Sequence, residues 1–448
     1  MFYILKMYFN LIGNALLLFG KEKEQQGEVF MKEKMTNLFQ KLQPWFDKIG
    51  NNKYLQAVMG AMMATLGPMI IGSFATLVAV YAARWKFAQL AKIMGFVNSA
   101  TIGAIALYVA FLMGKYIAKM FLKDDDGTSA GIIALMSFLI ITPLGNIKDV
   151  TAIPTTWLGA DGLFSAIIVG IVVGRSYVYM KQHKWTIKMP AGVPPMVSDT
   201  FAALIPTLLL GVFFTVVALG FSVTSFGSFH QLIFSIIQIP LQHIGGSFWA
   251  MVLVCLIEQI MWFFGIHGTN VITPIVVPIW MALDMQNLAA YKAGRPVPNI
   301  YGYAFFNFYT WGGTALGLVL LMLFIAKSER FKTLGKISII PALFGITEPV
   351  IFGTPLVLNF DFFVPFATNN AIVVIIAGLL TKLGIVARCT GAQAVFGLPL
   401  GVHALLGGHI SIVILVLIIQ LVISPLLWYP WFRRADKKAV AEEQNAAK

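Results

Sequence analysis

Ten stretches of this chain are apolar over a length close to that of a bilayer crossing, and no other feature restricts its fold as much. A helix needs roughly 20 apolar residues to span the hydrocarbon. Bounded by basic clusters, glycines and prolines, the runs 55–83, 97–121, 129–144, 162–180 and 201–225 occupy the first half, and 247–266, 269–283, 303–326, 367–386 and 410–431 the second. Composition agrees with the runs. Of 448 residues 58% are hydrophobic and 11% charged, against about 25% charged in a soluble domain. No aqueous surface can be built from that, so the expected fold is an all-α polytopic membrane protein with about ten transmembrane helices.

An even number of crossings returns the C-terminus to the side of the N-terminus, and basic flanks decide which side that is. The segment Lys21 to Lys53, the loop Lys181 to Lys188, the loop Lys327 to Lys336, and the tail with Arg433, Arg434, Lys437 and Lys438 fall on one face. That face is expected to be cytoplasmic, in the cell (inner) membrane. Arg84, Lys86 and Lys92 fall on the other face and count against the assignment without overturning it. The net charge of +13 is spread over juxtamembrane loops rather than gathered in a stripe, which points to anionic lipid and not to nucleic acid. Cys255 and Cys389 lie in or beside apolar runs without ligand spacing, so they read as packing residues; neither a metal nor a cofactor is expected.

Residues 1–19 are apolar with Lys6 near the start, but no small-residue cleavage site follows. Codons for Gln26-Gly27-Glu28-Val29 can spell a purine-rich ribosome-binding sequence just before Met31. Residues 1–30 are therefore expected to be a translated upstream extension, with the native start at Met31 or Met35. An intact mass that includes Met1 would refute this.

A transporter offers polar groups to its cargo at membrane depth, and irregular backbone is tolerated there only where it lines a protein cavity. Four interruptions of the apolar pattern qualify. Pro190 to Pro206, with Pro194-Pro195 after Gly192, reads as a turn between spans. In Gly265-Ile-His267-Gly268-Thr-Asn270, glycines on both sides let a histidine present its ring and a ligand approach the backbone, although a structural histidine fits the same pattern. Pro341 to Pro355 carries Thr347 and Glu348 between glycines and prolines. A carboxylate inside hydrocarbon costs several kcal/mol unless it is paired, so Glu348 is a functional candidate; capping a broken helix is the alternative. Gly391 to Gly408 is glycine-rich and too short for a crossing. It reads as a second re-entrant hairpin, entering from the side opposite to the third element, and two such hairpins make a midplane binding site.

Other polar residues signal less. Glu258 lies nine positions before His267, which on a continuous helix places the two on opposite faces and suggests a packing or interhelical role. Asn359 and Asp361 stand beside the third element as possible supports, and Trp262, Trp311, Phe344 and Phe396 could stack on a sugar.

Lys188-Met-Pro190 with Gly192 to Pro195, Phe201 to Pro206, Trp262 to Gly268, Leu334 to Ile339 and Phe344 to Asn359 resemble, in order and spacing, the lactose/cellobiose/diacetylchitobiose family of phosphotransferase-system IIC proteins. The resemblance covers roughly Met31 to Arg434 and implies an elevator-type IIC fold importing a β-linked disaccharide with coupled 6-phosphorylation. It implies a cytoplasmic segment 31–53, a dimerisation half 54–226, a sugar-binding transport half 227–432 and a cytoplasmic tail 433–448. Glu348 matches the glutamate that contacts the hydroxyl to be phosphorylated and His267 the histidine at the same site, with Gly268, Asn270 and Thr347 beside them. The implied partners are the disaccharide, separate IIB and IIA proteins, membrane lipid and a second copy of the chain, with a IIB phosphocysteine as donor. An ion-coupled elevator symporter for a sugar or nucleobase is the alternative, with Glu348 binding a proton or Na⁺. A membrane receptor or scaffold fits the hydropathy but gives no reason for two polar hairpins. Appearance of internalised sugar as its 6-phosphate only with a IIB partner separates the three.

Overall fold

The computed structural model describes residues 41 and 43–446, apart from 148–149, 188, 191, 193–194, 355 and 395–396. The expected upstream extension, residues 31–40 and 42 of segment 31–53, and Phe396 lie outside the described residues. Most of the described residues are helical, and the strands among them form one two-stranded antiparallel hairpin, Gly145–Ile147 with Val150–Ala152.

Each of the ten apolar runs forms helix, but eight helices among the described residues are long and apolar enough to cross a membrane, or nine if one bent pair counts as a span. Two runs account for the difference. Run 129–144 forms only Thr128–Ile140, because Pro143 cannot continue the helix and Gly145 opens the β-hairpin. Run 247–266 belongs to the bent pair Phe229–Gly245 and Phe248–Phe263, which meet at 71° across Gly246-Ser247.

Two helices set the frame. Lys53–Arg84, interrupted at Thr65, and Gly268–Lys292 run side by side in the same direction. Gly50 sits against Val271 at one end, and Lys292 donates to Asn98 Oδ1 (2.9 Å) at the other. The first end belongs to the face that carries Lys53, Lys181 and Lys327. There, burial would raise the Asp125 carboxyl, but the Lys181 ammonium (2.7 Å), the Gly127 N–H and the Tyr177 hydroxyl outweigh it and hold Asp125 below the usual carboxylate range. That cluster ties the loop after Ile105–Phe121 to the end of Leu163–Gln182.

Both re-entrant elements are present and oppose one another. Glu329–Leu343 enters from the Lys327 face, turns at Phe344–Thr347, and returns through Glu348–Gly353. The segment 391–408 enters from the other face, where Arg388 donates to the carbonyls of Val297 (2.9 Å) and Pro298 (2.6 Å). Its neck is closed by Thr390 N–H on Gly407 O (3.1 Å). The two hairpins touch where Leu400 N–H donates to Leu343 O (2.8 Å).

A carboxylate just past the end of an apolar run braces this arrangement. Asp284 is 1% exposed and accepts from Ala304 N–H (2.7 Å) and from Gln393 Nε2 (2.9 Å). It therefore fixes the second hairpin and the start of the helix Tyr303–Tyr309 to Gly268–Lys292. Asp284→Asn keeps the shape but puts a donor where an acceptor stood, leaving one buried donor unpaired. A loss of about 1 to 3 kcal/mol is expected in detergent unfolding titrations, and an unchanged midpoint would refute the bracing role.

Candidate functional site

A cavity of about 330 Å³ lies where the bent pair, the Tyr303–Phe324 span and the first hairpin converge. His267, Thr347 and Glu348 all line it, so residues 81 positions apart in sequence (348 minus 267) share one space. The reason is local backbone at each position. After Phe248–Phe263 the chain turns through Gly265 with φ 81°, a conformation that suits glycine, and starts again at Gly268. His267 caps the new helix: its Nδ1 accepts from Asn270 N–H (3.3 Å). This bond places the ring proton of the neutral imidazole on Nε2, so the ring offers a donor. The Trp262 ring lies 4.1 Å from the imidazole, centroid to centroid.

On the hairpin, Gly345 takes φ 78°, and a Cβ there would stand 2.8 Å from the Trp311 indole. The Trp311 ring in turn stacks on His403 of the second hairpin at 4.0 Å and 10°. One indole thus sits between the two hairpins. Glu348 starts a short helix with Pro349 in its first turn, so its side chain springs from the point where the hairpin turns back. It is close enough to His267 for the two groups to interact electrostatically.

Gly268 and Asn270 do not line the cavity. Gly268 is packed so closely that a Cβ would stand 2.2 Å from Glu258 O, and Asn270 contributes its backbone N–H to His267. Both hold the histidine in place. Trp262 and Trp311 line the cavity, whereas Phe344 is exposed and does not. Asp361 does not reach it either: it pairs with Lys438 at 3.3 Å, and Asn359 caps the turn that carries it.

Glu258 makes the interhelical contact its sequence reading suggested, to Thr269, but not on the opposite face from His267: the two line the same cavity. The opposite-face argument assumed one continuous helix, and the break at Phe264–Ile266 removes that assumption. Gln259, Asn307, Thr310 and Asn370 also line the cavity. They lie in ordinary apolar spans, and only the folded arrangement brings them together.

A model of the family described as phosphotransferase system, EIIC, matches residues 59–370. The chain belongs to that family. EIIC proteins are the sugar permeases of the phosphotransferase system and work with IIB and IIA partners, which sets aside the ion-coupled symporter. Similar relatives include the oligo-β-mannoside-specific EIIC component of Bacillus subtilis (strain 168), 32% identical over 91% of this chain and 95% of that protein. The cellobiose-specific EIIC component of Geobacillus stearothermophilus is 31% identical over 90% of this chain and 94% of its own. Among solved structures, the ChbC transporter, the IIC component of an N,N′-diacetylchitobiose-specific phosphotransferase system, matches with a TM-score of 0.84 and 31% identity. That match covers 90% of this chain and 98% of ChbC. This EIIC therefore has the IIC fold that the resemblance of its motifs implied.

Proposed function

We propose that this EIIC imports a β-linked disaccharide and presents its 6-hydroxyl to Glu348 for phosphorylation by a IIB phosphocysteine. The observation that carries the reading is the meeting of Glu348 and His267 in one cavity, supported by relatives named for oligo-β-mannosides and cellobiose. Phosphoryl transfer asks for little covalent chemistry from the permease beyond positioning and a group to take the hydroxyl proton. Glu348 accepts that proton, and His267 donates from Nε2 to a sugar oxygen. Thr347 lines the same wall and orients the ring.

The basic face is cytoplasmic, with both termini on it, so the cavity end of Gly268–Lys292 points toward IIB. Residues 54–226 join two copies in a homodimer, and residues 227–432 carry the sugar across as a unit. A second cavity of about 970 Å³ lies between the halves on the opposite face, lined by Asn98, Asp161, Gln286, Lys292 and Arg295 among others. It is the space into which the transport half moves when the sugar site faces outward. Juxtamembrane lysines and arginines contact anionic lipid.

The test is uptake of labelled cellobiose, lactose, N,N′-diacetylchitobiose and β-mannobiose into vesicles, with and without a cognate IIB. Sugar 6-phosphate that forms only with IIB supports the reading, and unmodified sugar accumulating on an ion gradient refutes it. His267→Ala should weaken disaccharide binding by about 1 to 3 kcal/mol, the value of a lost buried hydrogen-bond partner. An unchanged dissociation constant by calorimetry would make His267 a structural residue only.

A further inference from the structure

We infer that Glu258 is a second carboxylate of the sugar site, accepting a hydrogen bond from a hydroxyl other than the one phosphorylated and so selecting which disaccharide is carried. The inference rests on the proposed disaccharide reading and adds to it the group that recognises the rest of the molecule.

The geometry around Glu258 leaves one oxygen assigned and one open. Close contact of Gly268 with the Glu258 carbonyl brings the first turn of Gly268–Lys292 against Phe248–Phe263. Thr269 thereby reaches Glu258, and its hydroxyl donates to Oε1 at 2.5 Å. The Thr269 oxygen itself accepts from Trp262 Nε1 (3.3 Å), so the direction of the chain is set: indole to hydroxyl to carboxylate. Among the described residues no donor reaches Oε2. Glu258 is 7% exposed, and it lines the cavity, so Oε2 is the oxygen left to take a donor from a sugar bound there.

A carboxylate in hydrocarbon held by a single threonine is poorly compensated. An ionised carboxylate accepts at both oxygens, and a sugar hydroxyl is a neutral donor of the right size to complete the second. Position within the cavity separates its role from that of Glu348. Glu348 and His267 are exposed at the mouth, whereas Glu258, Gln259, Thr310 and Asn370 are buried. The side chain of Asn370 is oriented there by the Thr314 hydroxyl, which donates to Oδ1 (3.1 Å). The reacting hydroxyl therefore belongs at the mouth and the remaining hydroxyls at the buried polar end. A site that satisfies its own buried polar groups through substrate hydroxyls rejects analogues that lack them far more strongly than an apolar pocket rejects a changed shape.

The experiment is a mutant–analogue cycle on the full-length protein in detergent. The sugar is whichever of cellobiose, lactose, N,N′-diacetylchitobiose and β-mannobiose the wild type binds most tightly, with its series of single deoxy analogues. Glu258→Gln should weaken binding of the parent sugar by roughly tenfold to a hundredfold. One analogue should show no further loss, because the hydroxyl that meets Glu258 is already gone. In IIB-dependent turnover the same variant should raise KM more than it lowers kcat. Glu258→Asp, which withdraws the carboxylate by one methylene, provides the same comparison should the glutamine variant not purify as folded protein. Two results would overturn the inference: a parent-sugar affinity equal to wild type, or an equal loss on the parent and on every analogue, which marks Glu258 as a brace for Thr269. Neither depends on whether wild-type protein forms sugar 6-phosphate, so this inference and the proposed function fail separately.

Discussion

Glu348→Gln should reduce IIB-dependent sugar phosphorylation by about 10²-fold or more while retaining part of the sugar affinity. The substitution preserves size and hydrogen-bonding reach at the first turn of Glu348–Gly353 but removes the only feature the reaction needs there, a group that can accept a proton. Binding draws on several other side chains, since His267, Thr347, Trp262 and Trp311 line the same cavity. A structural role would have a different signature. If Glu348 merely capped its helix, glutamine would cost fractions of a kcal/mol in stability and leave turnover close to wild type. Single-turnover assays with phosphorylated IIB and saturating sugar distinguish the cases, and near-normal sugar-phosphate production would remove Glu348 from the chemistry.

What the sequence disclosed and what it hid follow one physical rule. Polar and helix-breaking residues inside an apolar run are visible because hydrocarbon makes them expensive, and that signal located both hairpins, Glu348 and His267. Glu258 carries the same chemical signal, yet its role depended on whether the helix continued to His267, and the break at Gly265 is a backbone fact. Asp284 escaped notice because the apolar run stops one residue before it, although it is among the most buried carboxylates here. Asn370 and Thr310 could not be found by pattern at all: each sits in an apolar span and acquires meaning only where separate spans meet. The shortfall in membrane-length helices has equally local causes, Pro143 after the helix that begins at Thr128 and the bend at Gly246-Ser247.

Locking the two halves together on the face opposite the sugar cavity should reduce uptake to background, because the transport half is proposed to move as one body. Asn98 lies within residues 54–226, the proposed dimerisation half, and Lys292 within residues 227–432, the proposed transport half, and their side chains meet at 2.9 Å. A second contact crosses the same boundary, Gln393 N–H on Ser73 Oγ (3.3 Å), and Gln393 is itself held by Asp284. Both contacts must break if Gly268–Lys292 and the second hairpin slide past Leu66–Arg84. Cysteines at 98 and 292, in a background with Cys255 and Cys389 replaced by alanine, can be joined by a short thiol-reactive linker. The control pair is Val297 and Arg388, which meet within the transport half through the Arg388 guanidinium and the Val297 carbonyl. A linker there should leave uptake near the uncross-linked level. A local gate at Gly345 or Gly353 predicts the reverse for the first pair, because swinging Glu348 alone leaves Asn98 and Lys292 undisturbed. Uptake that survives the 98–292 linker would therefore replace rigid-body motion with that gate, since a cavity built from Glu258, His267 and Glu348 can keep its sugar through a translation only if all three travel together.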